Sequence, residues 1–112
     1  MILHVLLVTF SLRNTSKDYT QFFVTVRGYS QNWWHFIEQT VIVAAYYDAT
    51  TFSGLLVPHI DTNDSLLVAE IDARTCQGWL PLPAWEWLKN MSNEASKQKL
   101  VAALVPPPAL RP

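Results

Sequence analysis

One hydroxyl and two carboxylates are the side chains of this sequence best suited to chemistry. Ser11 follows a long apolar run, and a serine hydroxyl becomes a nucleophile when a base and an oxyanion pocket accompany it, although no local motif supplies either group. Asp61 and Asp64, with His59 nearby, are ligand types that a divalent metal accepts, but their spacing matches no recognised metal loop. The competing interpretation makes Ser11 a strand-end residue and both aspartates turn residues that accept backbone hydrogen bonds.

The remaining titratable side chains fall within apolar segments. His4 and His35 are expected to be hydrogen-bonded sheet residues rather than general bases, because no partner is evident. Glu70 lies within an otherwise apolar strand. If its carboxylate is half-buried, it must be paired or have a raised pKa. If the strand is at an edge of the sheet, the carboxylate is exposed. Cys76 is the lone cysteine, so no disulfide within the chain and no zinc cluster is expected. The sequence predicts no cofactor, and Mg²⁺ only if the chain were a nuclease.

The composition limits the classes of function. With 112 residues the chain fits one domain. Half of its residues are apolar and only 15% are charged, against about 25% in soluble domains, which favours an oligomer whose interface removes apolar surface from water. A net charge of −1 gives no field that attracts nucleic acid, and three glycines exclude a glycine-rich phosphate loop.

The N-terminal segment and the basic residues bear on location and partners. The run MILHVLLVTFSL lacks a positive n-region and is too short to cross a bilayer, so it is predicted to be a strand of a cytoplasmic protein with no membrane partner. The aromatic residues form a possible stacking surface for single-stranded nucleic acid together with four basic residues, namely Arg13, Lys17, Arg27 and Arg74. Packing in a core or an interface is the preferred interpretation of the aromatics.

The periodicity of apolar residues predicts the order strand, helix, strand, strand, helix, strand and a last short helix. The predicted elements are a strand over 2–12, a helix capped by Ser16 or Asp18 and ending at Gly28, a hairpin within 31–48 that turns near 38–40, a helix capped by Asp48, a strand over 65–72, and a helix from Pro83 to near Asn90. The domain is predicted to cover 1–90, with a proline-rich extension over 91–112.

This order matches the split pattern of the α+β, ferredoxin-like βαββαβ sandwich, in which helices cover one face of an antiparallel sheet. Strands that are apolar on both faces then need cover from a second chain. Adjacent Trp33 and Trp34 point to opposite faces of a strand, so one of them is expected to meet a partner. The predicted assembly is a homodimer with an interface at Trp33, Trp34, Phe36 and Tyr46.

Three segments together resemble the SinR-like family of small ferredoxin-like proteins, relatives of the CRISPR-associated adaptation protein that partners the spacer integrase. They are VTFSLRNTSKDY, WWHFIEQTVIV and HIDTNDSLLVAEI. The family's strand-end Tyr-Asp-Leu corresponds to Phe10, Ser11 and Leu12, and its Asp-Tyr at the first helix corresponds to Asp18 and Tyr19. The acidic turn of the family is similar to the segment that contains Asp61, Asn63 and Asp64.

The resemblance implies a ferredoxin-like fold, frequent dimerisation and, in some relatives, nucleic-acid binding or metal-dependent nuclease activity. In the nuclease relatives the acidic residue that ends the first strand is the proposed metal ligand, and this chain has Ser11 at that position. A hydroxyl is a poorer Mg²⁺ ligand than a carboxylate, which weighs against an enzyme. The hypothesis is a dimeric scaffold or interaction protein, a degenerate relative of that subunit; a nucleic-acid-binding module and a nuclease using Asp61 or Asp64 are the alternatives.

Overall fold

A computed structural model describes residues 2–104 of the chain, and this part is an α+β domain built on one antiparallel sheet. The elements are β1 (His4–Ser11), α1 (Thr20–Gly28), β2 (Asn32–Ile37), β3 (Thr40–Ala45), α2 (Ala49–Leu56), β4 (Ser65–Glu70) and α3 (Leu82–Leu104), with 3-10 turns at Val57–His59 and Ala73–Thr75. The predicted class, α+β with an antiparallel sheet, is confirmed.

The strand order of the sheet is β2-β3-β1-β4, and every neighbouring pair is antiparallel. Helix α1 therefore joins β1 to β2 across the intervening β3, and α2 joins β3 to β4 across β1. The two crossover connections interleave, which places β1 and β3 in the centre and leaves β2 and β4 as edges.

The first face of the sheet packs against α1 and α2. Alternating residues of the two central strands supply the floor of this core: Leu6, Val8, Phe10, Val41, Val43 and Ala45. Phe22 and Val26 of α1, and Phe52 and Leu56 of α2, recur at the i, i+4 spacing that puts side chains on one helix face. All four helix residues are at most 1% exposed, so this face is closed by residues of the chain itself.

Local turn chemistry explains where several elements begin and end. The carboxylate of Asp48 accepts a hydrogen bond from the backbone N–H of Thr51 at 2.8 Å, which confirms Asp48 as the N-cap of α2. The hairpin turns at positions 38–39, within the predicted range, and Gln39 has φ 61° there. Helix α1 ends at Gly28 as predicted, although Gly28 does not adopt the left-handed φ that commonly favours glycine at a helix end.

The N-terminus of α1 departs from the predicted capping by Ser16 or Asp18. Tyr19 occupies the N-cap position without a side-chain hydrogen bond. The Asp18 carboxylate instead accepts a hydrogen bond from the backbone N–H of Thr20 at 2.9 Å and another from the Thr20 hydroxyl. Asp18 thus satisfies a helix donor from one position before the cap, which lowers the pKa of its carboxyl, chiefly through the side-chain hydrogen bond from Thr20.

The second face of the sheet is covered by α3, which corrects the expectation that all helices lie on one face and that a partner must cover the other. Val5, Trp34, Ile42 and Ala44 of the sheet share a buried cluster with three residues of α3, namely Ala84, Leu88 and Ala95. These helix residues, spaced by four and seven, lie along one stripe. Small residues at the contact let the helix approach the sheet closely.

The predicted end of the last helix near Asn90 is wrong, because α3 continues to Leu104. The cause is visible in the sequence, since neither glycine nor a further proline occurs between Pro83 and Leu104. The predicted short C-terminal helix is therefore a long one of 23 residues. Positions 105–112 of the predicted extension lie outside the described residues. No helix among residues 2–104 is both long enough and apolar enough to cross a membrane.

Candidate functional site

The structure brings the predicted catalytic candidates Ser11, Asp61 and Asp64 to one end of the sheet. Ser11 ends β1 and pairs with Ser65 at the start of β4, and both aspartates lie in the loop that leads into that strand. Asp64 Oδ2 accepts hydrogen bonds from the Tyr19 hydroxyl and the Asp61 backbone N–H, each at 2.7 Å, while its Oδ1 accepts from the Arg13 backbone N–H at 2.8 Å.

The protonation of this end follows from the same contacts. Burial alone raises the pKa of the Asp64 carboxyl, but hydrogen bonds from Arg13, Tyr19 and Asp61 outweigh it and lower the pKa below the usual 3.8. For Tyr19, burial and the hydrogen bond to Asp64 raise the pKa of the phenol. Asp64 is thus an ionised carboxylate with both oxygens occupied, holding the β1–α1 loop against the loop before β4.

Asp61 and Ser11 are also engaged within the chain. Asp61 Oδ2 accepts a hydrogen bond from the Asn14 side-chain amide at 2.7 Å, and the Ser11 hydroxyl accepts one from the Arg13 Nε–H at 3.2 Å. Among residues 2–104, no group of three or more histidine, cysteine, aspartate or glutamate side chains is placed to hold a metal ion. Asp61 and Asp64 therefore join the β1–α1 loop to the loop before β4, in keeping with the turn-residue interpretation. We call these contacts the latch.

The four basic residues proposed as a phosphate surface each have a local partner. Lys17 lies 5.6 Å from the centroid of the Tyr19 ring, and Arg27 lies 5.9 Å from the centroid of the Trp33 ring. Arg74 is paired with Asp72 through Nη2 and Oδ2 at 2.7 Å. Arg13 and Lys17 precede α1, whereas Arg27 lies in its last turn and Arg74 lies beyond β4, so the four do not follow one strand or helix.

A polar cleft of about 250 Å³ lies between the end of β4 and α3. Glu70, on the edge strand, is paired with His4 Nδ1 and with Lys99 Nζ, the latter at 3.4 Å. Burial raises the pKa of the Glu70 carboxyl, but the hydrogen bond from His4 and the charge of Lys99 together lower it. Ser92, buried in the same cleft, accepts a hydrogen bond from the Ala73 backbone N–H at 3.0 Å. The cleft is a network of internally paired groups that anchors α3.

A different site lies on the α3 side of the sheet, and we call it the aromatic groove. It is a cleft of about 370 Å³ whose apolar walls include Trp34, Ile37, Trp79, Leu80, Trp85 and Leu88. Cys76 also lines it and is half-buried. A concave, mostly apolar cleft of this size is the usual form of a binding site.

Trp79 stands at this groove with 99% of its side chain exposed. It follows Gly78, whose φ of 158° is one that side-chain-bearing residues rarely adopt. Ile37 of the groove wall is 44% exposed, Phe36, whose ring lies 5.3 Å from that of the groove-lining Trp34, is 55% exposed, and Leu82, two residues after the groove-lining Leu80, is 69% exposed. Large apolar residues grouped at the surface around a cleft are typical of an interaction site.

Two buried indole groups on this side have unused hydrogen-bond donors. The Nε1–H groups of Trp34 and Trp87 have no hydrogen-bond partner among residues 2–104, and the two rings meet edge to face with centroids 6.3 Å apart. An unpaired buried donor costs about 1–3 kcal/mol, and buried Trp N–H groups usually find an acceptor. One of these two unpaired donors thus belongs to Trp34, a residue that lines the aromatic groove.

The predicted interface residues are divided by the fold. Trp34 is 5% exposed beneath α3 and so is not available to a second chain except through the groove that it lines. Tyr46 is half-buried and packs against the same cluster, whereas Phe36 is exposed at the rim. Trp33 pairs with Val43 and so lies on the first face, 41% exposed beneath Arg27.

Sequence reasoning missed Trp79 and Leu82. The signal was present, because Trp79 falls between Gly78 and Pro81 in a segment that has turn residues on both sides. A tryptophan in a loop has no strand or helix face on which to be buried, so its exposure was predictable.

No known protein family, curated protein or solved structure matches the chain.

Proposed function

We propose that this chain is a ferredoxin-like interaction protein that associates with a second copy of itself through the aromatic groove. The interleaved crossovers of α1 and α2 around a β2-β3-β1-β4 sheet support the ferredoxin-like assignment. Under the SinR-like resemblance it is a degenerate relative of the CRISPR adaptation subunit, in which Ser11 replaces the strand-end carboxylate and a scaffold role replaces catalysis.

The observation that carries the proposal is the fully exposed indole of Trp79 beside an apolar cleft. Tryptophan buries about 150–250 Å² of surface when it is covered and is among the residues most enriched at binding hot spots. Exposure of this one residue therefore leaves a large favourable burial unused in the single chain. An interface centred on the groove would use it, together with Phe36 and Leu82 at the rim.

The groove changes the place of the expected dimer contact. Because α3 already packs against the central strands on the second face, a second copy cannot pack there, and the proposed contact moves to Phe36, Trp79 and Leu82. The interface predicted from the sequence shares only Phe36 and the groove-lining Trp34 with this surface. Trp33, on the opposite face and 41% exposed, belongs to the earlier hypothesis alone.

Light scattering of purified chains tests this directly, with Trp79→Ala and the matched control Trp33→Ala. The wild-type mass is expected to rise above the 12.8 kDa of one chain as the concentration increases. Trp79→Ala should remain at the mass of one chain, and Trp33→Ala should behave as the wild type. A wild-type chain that stays monomeric at all concentrations, or loss of association in Trp33→Ala alone, contradicts the proposal.

The same instrument separates a nucleic-acid-binding module from a protein-binding one. Addition of a mixed oligonucleotide pool at low salt is expected to leave the scattering mass unchanged. A mass increase that disappears steeply as the salt concentration rises would indicate phosphate contacts and favour the nucleic-acid alternative.

A further inference from the structure

We propose that the occupant of the aromatic groove is the C-terminal segment of a second copy: Pro106, Pro107 and Pro108, led in by the apolar end of α3. This inference rests on the proposed self-association and names the part of the chain that performs it. Three independent features point to it: an exposed apolar stripe on α3, the chemistry of the groove, and the reach of the chain.

The end of α3 carries an apolar stripe that the rest of residues 2–104 leaves exposed. Leu100, Val101 and Leu104 are 61%, 54% and 74% exposed, and their spacing of one and four residues puts them on one side of the helix. Ala95 is the last buried residue of α3, and Lys99 still reaches the sheet through its pair with Glu70, so these three residues come after the pair that joins α3 to β4. Under the proposed self-association, a second chain covers these side chains.

The chemistry of the groove suits a proline segment. Consecutive prolines have fixed φ angles and lose little conformational entropy on binding, and proline-rich segments dock in grooves lined by aromatic rings. Such a segment offers backbone carbonyl acceptors but no N–H donors at its prolines. The groove offers the rings of Trp79 and Trp85 to such a segment.

The reach of the chain requires that the segment come from another copy. Four residues separate Leu104 from Pro108 and span at most about 14 Å even when fully extended. Leu88, the α3 residue of the groove closest to the helix end, lies 16 residues before Leu104, which is about 24 Å along a helix. The three prolines of one chain therefore cannot reach Leu88 in the groove of that same chain.

A two-fold arrangement satisfies both copies at once. If two α3 helices run antiparallel, the C-terminal end of each lies beside the start of the other, where Trp85 and Leu88 border the groove. Each copy then supplies one segment and one groove, so the interface is isologous and the assembly closes as a dimer. The exposed stripe at Leu100, Val101 and Leu104 would lie at the entrance of the partner's groove.

The test uses the full chain with Pro106→Ser, Pro107→Ser and Pro108→Ser combined. The exchange preserves the length and charge of the chain, and none of the replaced residues lies within the described fold. Sedimentation equilibrium is expected to show dimerisation at least about tenfold weaker than in the wild type, which corresponds to about 1.4 kcal/mol.

A second measurement supplies the segment in trans. The synthetic peptide VPPPALRP, which corresponds to residues 105–112, is titrated into the triple-serine chain while tryptophan fluorescence is recorded. A saturable change is expected with this peptide, no change with VSSSALRP, and no change when the chain also carries Trp79→Ala.

The outcomes separate this inference from the proposed function. If Trp79→Ala abolishes dimerisation while the triple-serine chain dimerises as the wild type and VPPPALRP gives no signal, the groove remains the interface and the proline segment is excluded as its occupant. A wild-type chain that is monomeric at every concentration overturns both proposals.

Discussion

The two faces of the sheet are built from the same kinds of residues, but they differ in how completely these residues are buried. On the first face, Phe22, Phe52 and Leu56 are fully buried, and the rings of Phe10, Phe22 and Phe23 meet edge to face with centroids 5.1–5.6 Å apart. On the second face, a single helix leaves a groove of about 370 Å³, two indole donors without partners among residues 2–104 and an exposed Trp79.

The difference indicates a division between stability and binding. Two short helices with i, i+4 apolar pairs can cover one face of a four-stranded sheet, whereas a single helix covers only the residues directly beneath it. Apolar residues left exposed on this face include Ile37 at the β2 edge, at 44%, and Leu67 on β4, at 60%. The first face thus holds the fold together, and the second face retains apolar surface that a partner segment can use.

The largest expected difference between the faces comes from two matched leucines. Leu56 on the first face and Leu88 on the second are 0% and 1% exposed, and replacing buried leucine by alanine costs about 2–5 kcal/mol depending on how much cavity remains. Leu56→Ala should fall near the upper end, because its surroundings are closed. Leu88→Ala should fall near the lower end, because the space it leaves opens into the groove and is filled by water. Chemical denaturation of both variants measures the two free energies of unfolding.

Equal losses for the two leucines, or a larger loss for Leu88→Ala, would mean that the second face is packed as tightly as the first. Leu56→Val and Leu88→Val serve as milder controls, since they keep most of the side chain. With them the order should be the same and the difference smaller.

Much of the first face was predictable because its signals are local. The spacing of Phe22 and Val26 predicts α1, Asp48 marks the start of α2, and the turn near positions 38–40 falls at the least apolar point between two strands. The continuous apolar run of β1 also predicts cover on both sides. Each of these signals depends on neighbouring residues only.

The second face was less predictable. Its apolar residues indicate that something covers this face, but they do not indicate which part of the molecule, or which partner, does so. A partner chain and the chain's own C-terminal helix leave the same apolar alternation at Val5 and Ile42. The length of α3 was not predicted, although no glycine or proline interrupts it after Pro83. Its sheet-facing residues after Leu88 are small, notably Ser92 and Ala95, so they do not form a clear apolar stripe. The latch at Asp64 was expected as a turn, but its contact with Tyr19 spans 45 positions and has no local signature.

A smaller effect is expected from the latch that ties the loops of the first face. The pKa of Asp64 in the fold is lowered below 3.8, so its contribution to stability is fully present above that value and is lost as the pH falls through the lowered pKa. Asp64→Asn removes this contribution, since an amide offers one acceptor oxygen for three donors. Thermal unfolding at pH 7 should show a lower midpoint in the variant, and the gap should narrow as the pH falls below about 4.

The second face provides the control for that titration. Asp72 has its pKa lowered to about 2, first by the side-chain hydrogen bond from Arg74 and then by the Arg74 backbone N–H. The side-chain contacts of Asp72 stay within positions 72–74, whereas Asp64 joins loops 45 positions apart, so Asp72→Asn is expected to change the midpoint less than Asp64→Asn at pH 7. A gap for Asp64→Asn that stays constant from pH 7 to pH 3 would show that the latch acts through packing and not through the charge of its carboxylate.

The smallest effect on stability is expected at the residue with the largest expected effect on association. Trp79 is 99% exposed, so Trp79→Ala removes almost no buried surface from the single chain, and surface changes of this kind usually alter stability by less than about 0.5 kcal/mol. Measured at concentrations where the chain is monomeric, the free energy of unfolding should match that of the wild type. At higher concentrations the wild type should gain stability through association and the variant should not. A loss of several kcal/mol in the dilute variant would place Trp79 in the core of the fold. The proposed difference between a closed first face and a second face that binds a partner would then be wrong.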